Sequence, residues 1–182
     1  GDQTWMAENL RVTRYRNGDA LPNVTANDEW SVLAMGAYCN YNNTEALDTI
    51  ATYGRLYNWY TVSDNRNIAP KGWRVATPDD WNILIDHLGG DAIAGGKLKE
   101  AGDLHWDSPN EADNSSGFTA QPGGWRHINK NTEELSYFGI YWTSGQNSST
   151  SAARLQLFCW STNALKGFNF MNNGYSIRCI KE

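Results

Sequence analysis

The sequence predicts an α+β fold in one domain spanning 1–182, and three observations predict it. One stretch, "TPDDWNILIDHLGG", carries a full set of helix signals. Three later stretches, "FGIYWTSG", "AARLQLFCW" and "GYSIRCI", alternate as strands do. The remainder is polar and turn-rich, so long loops join the elements.

Taken in order, "TWMAENLRV" (4–12) reads as a first strand leading into a polar turn. Asn17-Gly18 and Pro22 mark the next turn. "YGRLYNWYTV" (53–62) fits two periods: Leu56, Trp59 and Tyr60 have helical spacing, whereas Leu56, Asn58 and Tyr60 have strand spacing. A short helix is preferred, because "NIAPKGW" (67–73) then reads as the turn that leaves it.

The principal helix is expected over 77–88. Thr77 is a good N-cap, Pro78 suits the first helical position, and Asp79 and Asp80 complement the helix dipole. Trp81, Leu84, Ile85 and Leu88 form one apolar face, Gly89 ends the helix, and His87 favours the dipole at that end. A second helix is expected over 92–101, started by Asp91 and weakened by Gly95 and Gly96. The polar loop that follows holds Asp103, Asp107, Glu111 and Asp113, oxygen ligands of the kind calcium takes; their spacing matches no EF-hand, so a solvated loop is expected. Pro122-Gly123-Gly124 marks a tight turn before Trp125 and Arg126. In the strands, Ile140 and Trp142 alternate with Tyr141 and Thr143. Leu155, Leu157 and Cys159 oppose Arg154, Gln156, Phe158 and Trp160, while Tyr175, Ile177 and Cys179 oppose Ser176 and Arg178. These three strands are expected to form one antiparallel sheet.

Composition removes several function classes. The net charge of -5 argues against nucleic acid, whose phosphates need a basic footprint. From Leu135 to Lys181 there is no Asp or Glu, so carboxylate acid–base chemistry is not centred there. No run of apolar residues is long enough to cross a membrane. No charged-then-apolar leader follows Gly1, so any signal peptide is expected to lie outside this sequence. Cys39, Cys159 and Cys179 allow one intrachain disulfide at most, and without a C-x-x-C no zinc site is expected. No cofactor or metal is expected.

Seven pieces in order, "WMAENLRV", "YGRLYNWY", "PKGWRVATPDDWNIL", "GGKLKEAG", "SGFTAQPGGWR", "YWTS" and "GYSIRC", resemble the Fibrobacter succinogenes major paralogous domain, a family of bacterial surface and secreted domains. The resemblance implies a branch of the C-type lectin-like fold, close to the formylglycine-generating-enzyme type. Its features are N- and C-terminal strands that meet, two helices, and a small antiparallel sheet carrying long loops. It also implies a cell-surface location, with lipid anchoring of the precursor. Some C-type lectin-like proteins are variable products of diversity-generating retroelements, and the Asn- and ring-rich segment from Trp142 to Tyr175 has that character. Relatives often carry Cys where this chain has Ala69, available to pair with the Cys of "SIRC". Cys179 is therefore either a free buried thiol, the preferred reading, or a partner of Cys159.

The candidate ligand-binding residues are Asn147, Arg154, Gln156, Phe158, Trp160, Asn163, Phe168, Phe170, Asn172 and Asn173. Rings supply rigid contact area at low entropic cost, and Asn and Ser supply adaptable hydrogen bonds, as in antibody paratopes. The expected activity is non-enzymatic adhesion to a protein or carbohydrate ligand by a monomer. Two alternatives stand beside it: a structural domain of a surface assembly, and an oxidase using Cys159 and Cys179 with Arg178 as the adjacent base.

Overall fold

Local signals at Thr77 create the longest helix of the computed structural model, which describes residues 1–182. The Thr77 side chain accepts from the Asp80 N–H, and the Asp80 carboxylate accepts in return from the Thr77 N–H, a reciprocal capping box. Arg74 adds an ion pair that holds the Asp80 carboxyl down at about 2. In chain order the elements are α1 (Asn27–Ser31), β1 (Tyr38–Cys39), α2 (Leu47–Tyr53), β2 (Leu56–Tyr57), α3 (Trp59–Ser63), β3 (Trp73–Val75), α4 (Pro78–His87) and α5 (Asp91–Leu98). They continue with β4 (Trp125–Arg126), β5 (Thr132–Glu133), β6 (Phe138–Gln146), β7 (Ser151–Phe158), β8 (Ala164–Phe170) and β9 (Cys179–Lys181). Helices and small antiparallel sheets coexist, so the fold is α+β.

Three expectations are corrected. The segment 53–62 is not one helix. It makes β2, which pairs with β1, and then α3, because the buried Asn58 side chain accepts from the Ala37 and Thr61 N–H groups and so caps a new helix. The second helix ends at Leu98 rather than 101, since Lys99 is extended and bridges to Ala120. Its two glycines are a packing requirement: a Cβ on Gly95 would lie 2.2 Å from the Asn163 carbonyl oxygen.

The third correction concerns the main sheet. Its order is β6-β7-β8, so its third strand is Ala164–Phe170 and not the "GYSIRCI" segment. That segment has all of Tyr175 to Ile180 buried, and its backbone serves many partners in turn. Gly174 exchanges hydrogen bonds with Arg126, Tyr175 with Tyr57, and Ser176 bonds to β6. The Ile177 and Cys179 carbonyls accept from Leu10 and Met6, and β9 pairs with β3. The N-terminal stretch 4–12 is thus stitched to the C-terminus without forming a regular strand; Trp5–Ile180 is its one ladder bridge.

Arg178 locks this arrangement. Its side chain is fully buried and has no carboxylate partner. Nε and Nη2 donate to the Asn9 Oδ1 at 3.2 and 2.8 Å, and Nη1 donates to the Met6 and Phe118 carbonyls at 3.0 Å each. The guanidinium also lies 4.4 Å from the Phe118 ring centre. Replacing it strands three acceptors from two separate segments, the N-terminal stretch and the Phe118 loop, and each stranded group costs about 1–3 kcal/mol. Arg178→Met is expected to destabilise the protein by about 3 kcal/mol or more, and Arg178→Lys by nearly as much because one ammonium cannot reproduce the planar fork; urea unfolding checks both.

Lys99 plays the matching role beneath the sheet. Its buried ammonium donates to the Phe158 and Cys159 carbonyls at 2.7 and 3.1 Å, fixing the turn that follows β7. Burial pushes its pKa down to about 8 from 10.5. Between those values the unfolded chain binds more protons than the folded one, so this group's contribution to stability rises with pH, by up to ~1.4 kcal/mol per pH unit. The stability of the wild type relative to Lys99→Met should therefore increase from about pH 8 to 10.5; chemical denaturation of both proteins across that range reads the difference directly.

Candidate functional site

Strand register sorts the candidate residues onto two faces. Phe138, Ile140 and Trp142 of β6 stand opposite Phe158, Gln156 and Arg154 of β7. Gln156 and Arg154 are in turn opposite Leu165 and Gly167 of β8. These residues share one face, together with Asn169. The other face carries Tyr141, Ala153, Leu155 and Leu157, continued on β8 by Ala164, Lys166, Phe168 and Phe170. Helices α4 and α5 pack on this second face: Leu155, Leu157 and Ala164 join Trp81, Ile85 and Leu98 in one buried cluster. The first face packs on the other large cluster through Ile140, Trp142 and Ala152 and is uncovered only in part, at Phe138, Arg154, Gln156, Phe158, Leu165 and Asn169; that part is the open face.

The expected site is therefore divided. Arg154, Gln156 and Phe158 belong to the open face, and Trp160 turns back from the end of β7 to pack on Phe138 and Phe158. Phe168 and Phe170 belong to the helical face, where they are 58% and 57% exposed. Asn147 lies exposed at the β6–β7 turn with its amide donating to the Ser151 hydroxyl, and Asn163 lies exposed in the β7–β8 turn. Two candidates are structural and are withdrawn from the exposed surface. Asn173 is buried, accepting from the Ile128 N–H and donating to the Tyr175 hydroxyl. Asn172 donates from its amide to the Leu33 carbonyl, and its own carbonyl accepts from the Trp30 indole.

On the open face Phe138, Phe158 and Trp160 form a mutual cluster with ring centres 5.4–5.5 Å apart. Trp160 is 52% exposed. Beside them Trp125 reaches in from β4, 6.1 Å from the Tyr175 ring. A cavity of about 240 Å³ opens between these groups, lined by Trp125, Glu134, Phe138, Ile140, Gln156, Asn169 and Tyr175. Sequence reasoning missed Phe138, Trp125 and Glu134 because they come from other segments, whereas Asn169 lies within the Asn- and ring-rich segment it singled out. Of the three, only Phe138 had a readable signal, its alternation with Ile140 and Trp142.

Arg154 stands on this face between the levels of Gln156 and Asn169. Each of the other eight arginines donates at least one hydrogen bond. Arg154 donates none and has no carboxylate neighbour; its Nε and Nη1 are buried without partners. Its guanidinium lies over Gly167, where an added Cβ would meet it at 3.6–3.7 Å. Burial pulls its pKa below the ordinary arginine value, and burial raises that of the neighbouring Tyr175 to about 12.

Other candidates do not converge. A larger cavity of about 350 Å³ lies on the helical face near Pro78, Trp81 and Phe168. Arg154 and Gly167 also border it, and its one ammonium, Lys166, is already paired with Asp91 at 2.9 Å and bonded to Asn82. Asp107 and Asp113 accept from the backbone of Ser108 and Ser115, and no group of three potential metal-ligating side chains assembles. All three cysteines are free and buried. Cys159 lies in the cluster under α4 and α5, and Cys179 in the other large cluster together with Ala69. Burial pushes the Cys179 thiol up to about 12 and raises Cys159 as well, the reverse of what a nucleophilic thiolate needs. Arg178 is turned toward Asn9, and its charge offsets that burial only in part.

No helix is long and apolar enough to cross a membrane. Comparison with curated proteins and with solved structures gives no match. The sequence nevertheless has a family counterpart: the family model of the Fibrobacter succinogenes major domain matches residues 1–181, and the chain belongs to that family.

Proposed function

We propose that this chain is an extracellular ligand-binding module that recognises a protein or carbohydrate partner through the open face of its three-stranded sheet. The observation that carries this reading is Trp160: a half-exposed indole held by Phe138 and Phe158 beside a ring-lined cavity. Exposed aromatic area of this kind is retained where it meets a ligand. Amides of Gln156 and Asn169 at the cavity supply directional contacts. The finer fold reading is C-type lectin-like, supported by the meeting of residues 4–10 with residues 177–181 and by long loops around a small sheet. Attachment to the cell surface through a lipidated precursor rests on the family resemblance, as does the retroelement reading of the segment Trp142 to Tyr175.

A second reading, a structural domain of a surface assembly, is favoured by β8. This edge strand leaves Leu165, Phe168 and Phe170 exposed, a surface suited to a packing neighbour. The two readings use different faces for their rings, and that separates them. In a glycan array and a surface-protein pull-down, Trp160→Ala should lower binding about tenfold or more, with a melting temperature within a few degrees of wild type. The double variant Phe168→Ala, Phe170→Ala should keep the interaction. The opposite pattern moves the contact to the helical face and supports the assembly reading.

A further inference from the structure

Five other residues each leave one buried polar side-chain atom without a partner, and Arg154 alone leaves two. A half-buried guanidinium with two shielded, unpartnered nitrogens costs stability, and nothing in the folded protein offsets that cost. The third nitrogen, Nη2, is also without a partner in the protein and is not among the shielded atoms. Arg154 is not in the wall of the ring-lined cavity, but strand register sets it directly beside Gln156 and Asn169, which are. An uncompensated cation next to such a cavity is what a site looks like before its anion arrives.

We propose that Arg154 anchors a carboxylate subsite and that the open face takes an acidic sugar, a residue of the uronic or sialic type. This rests on the reading of that face as the recognition surface. The sugar carboxylate meets the guanidinium at Nη2, in a charge-assisted hydrogen bond. The sugar ring lies against Trp125, and its hydroxyls reach the Gln156 and Asn169 amides. Glu134 fixes the orientation. It also lines the cavity, so it repels a carboxylate on its own side and accepts from hydroxyls there, which turns the acid toward Arg154. An acidic peptide would bring the carboxylate without the hydroxyls that Glu134, Gln156 and Asn169 are suited to meet. From Arg154 to Phe158, on which Trp160 packs, the face runs four residues along β7, roughly 13 Å at strand rise. That is room for an oligosaccharide bound at one end by charge and at the other by stacking.

Isothermal titration of the full chain with trigalacturonic acid and its methyl ester, and with sialyllactose and lactose, tests the idea. The expected result is that at least one acid binds wild type at least tenfold more tightly than its neutral counterpart. Arg154→Met should bind acid and neutral forms alike. Because Met removes an unpaired charge, its melting temperature should equal or exceed that of wild type. The proposal is overturned if acid and neutral forms bind wild type equally, if Arg154→Met retains the preference, or if neither acid binds at millimolar concentration. It is also overturned if Arg154→Met melts well below wild type, which would make the arginine a structural post. Binding of tetraglutamate in place of the sugars, lost in Trp160→Ala, sinks the acidic-sugar class while leaving the recognition face standing. Acid binding that survives Trp160→Ala but is lost in Arg154→Met keeps the carboxylate subsite and removes the wider face.

Discussion

A single buried guanidinium holds the two ends of the chain in one place. Arg178 donates to Asn9 and to the carbonyls of Met6 and Phe118, so two segments far apart in sequence converge on one side chain near the C-terminus. No carboxylate balances it. Carbonyl dipoles and the faces of Phe118 and Tyr141 do so instead, which spreads the compensation over several elements. Arginine suits this post better than lysine because its donors diverge in a plane and its charge is weakly hydrated. With Arg178 set, the segment from Gly174 to Lys181 threads between the N-terminal stretch, β2, β3, β4 and β6, offering hydrogen bonds to each.

The candidate site inherits its rigidity from that centre. Tyr175 is part of the threaded segment and also lines the open cavity, so core and site share a residue. On the far side Lys99 pins the carbonyls of Phe158 and Cys159 from below, which sets where Trp160 emerges. Two cations with opposite surroundings thus illustrate one rule. Lys99 is buried with acceptors, and Arg154 lies on the sheet with none. A buried donor that is satisfied belongs to the architecture, and one left unsatisfied calls for an explanation from outside the chain.

The sequence was most readable where structure is decided locally. Thr77, Pro78 and Asp80 announce α4 within four residues, and the structure contains the capping box they imply. β6 and β7 follow their alternation as well. Readability fails where the partner lies far along the chain. "GYSIRCI" alternates like a ladder strand, yet both of its sides are buried, and no local pattern names its several partners. β8 escaped because Gly167 and exposed rings disguise an edge strand as a loop. Asn172 and Asn173 have the composition of a binding loop, but their amides are consumed by Leu33, Ile128 and Tyr175. The division of the ring set between two faces follows from register, which composition does not encode.

The threaded segment has a consequence for how the protein is made. Residues 174–181 leave the ribosome after every segment they bond to, and they supply backbone partners to Met6, Leu10, Tyr57, Arg126 and β3. Until they emerge, the Met6 and Leu10 N–H groups lack their acceptors, and Asn9 has no guanidinium to hold. Helix α4 can form early, because its signals are its own, but the rest must wait for the whole chain. Folding is thus a closing event rather than a progression. A chain truncated by its final eight residues loses the keystone on which N-terminal and central segments alike converge.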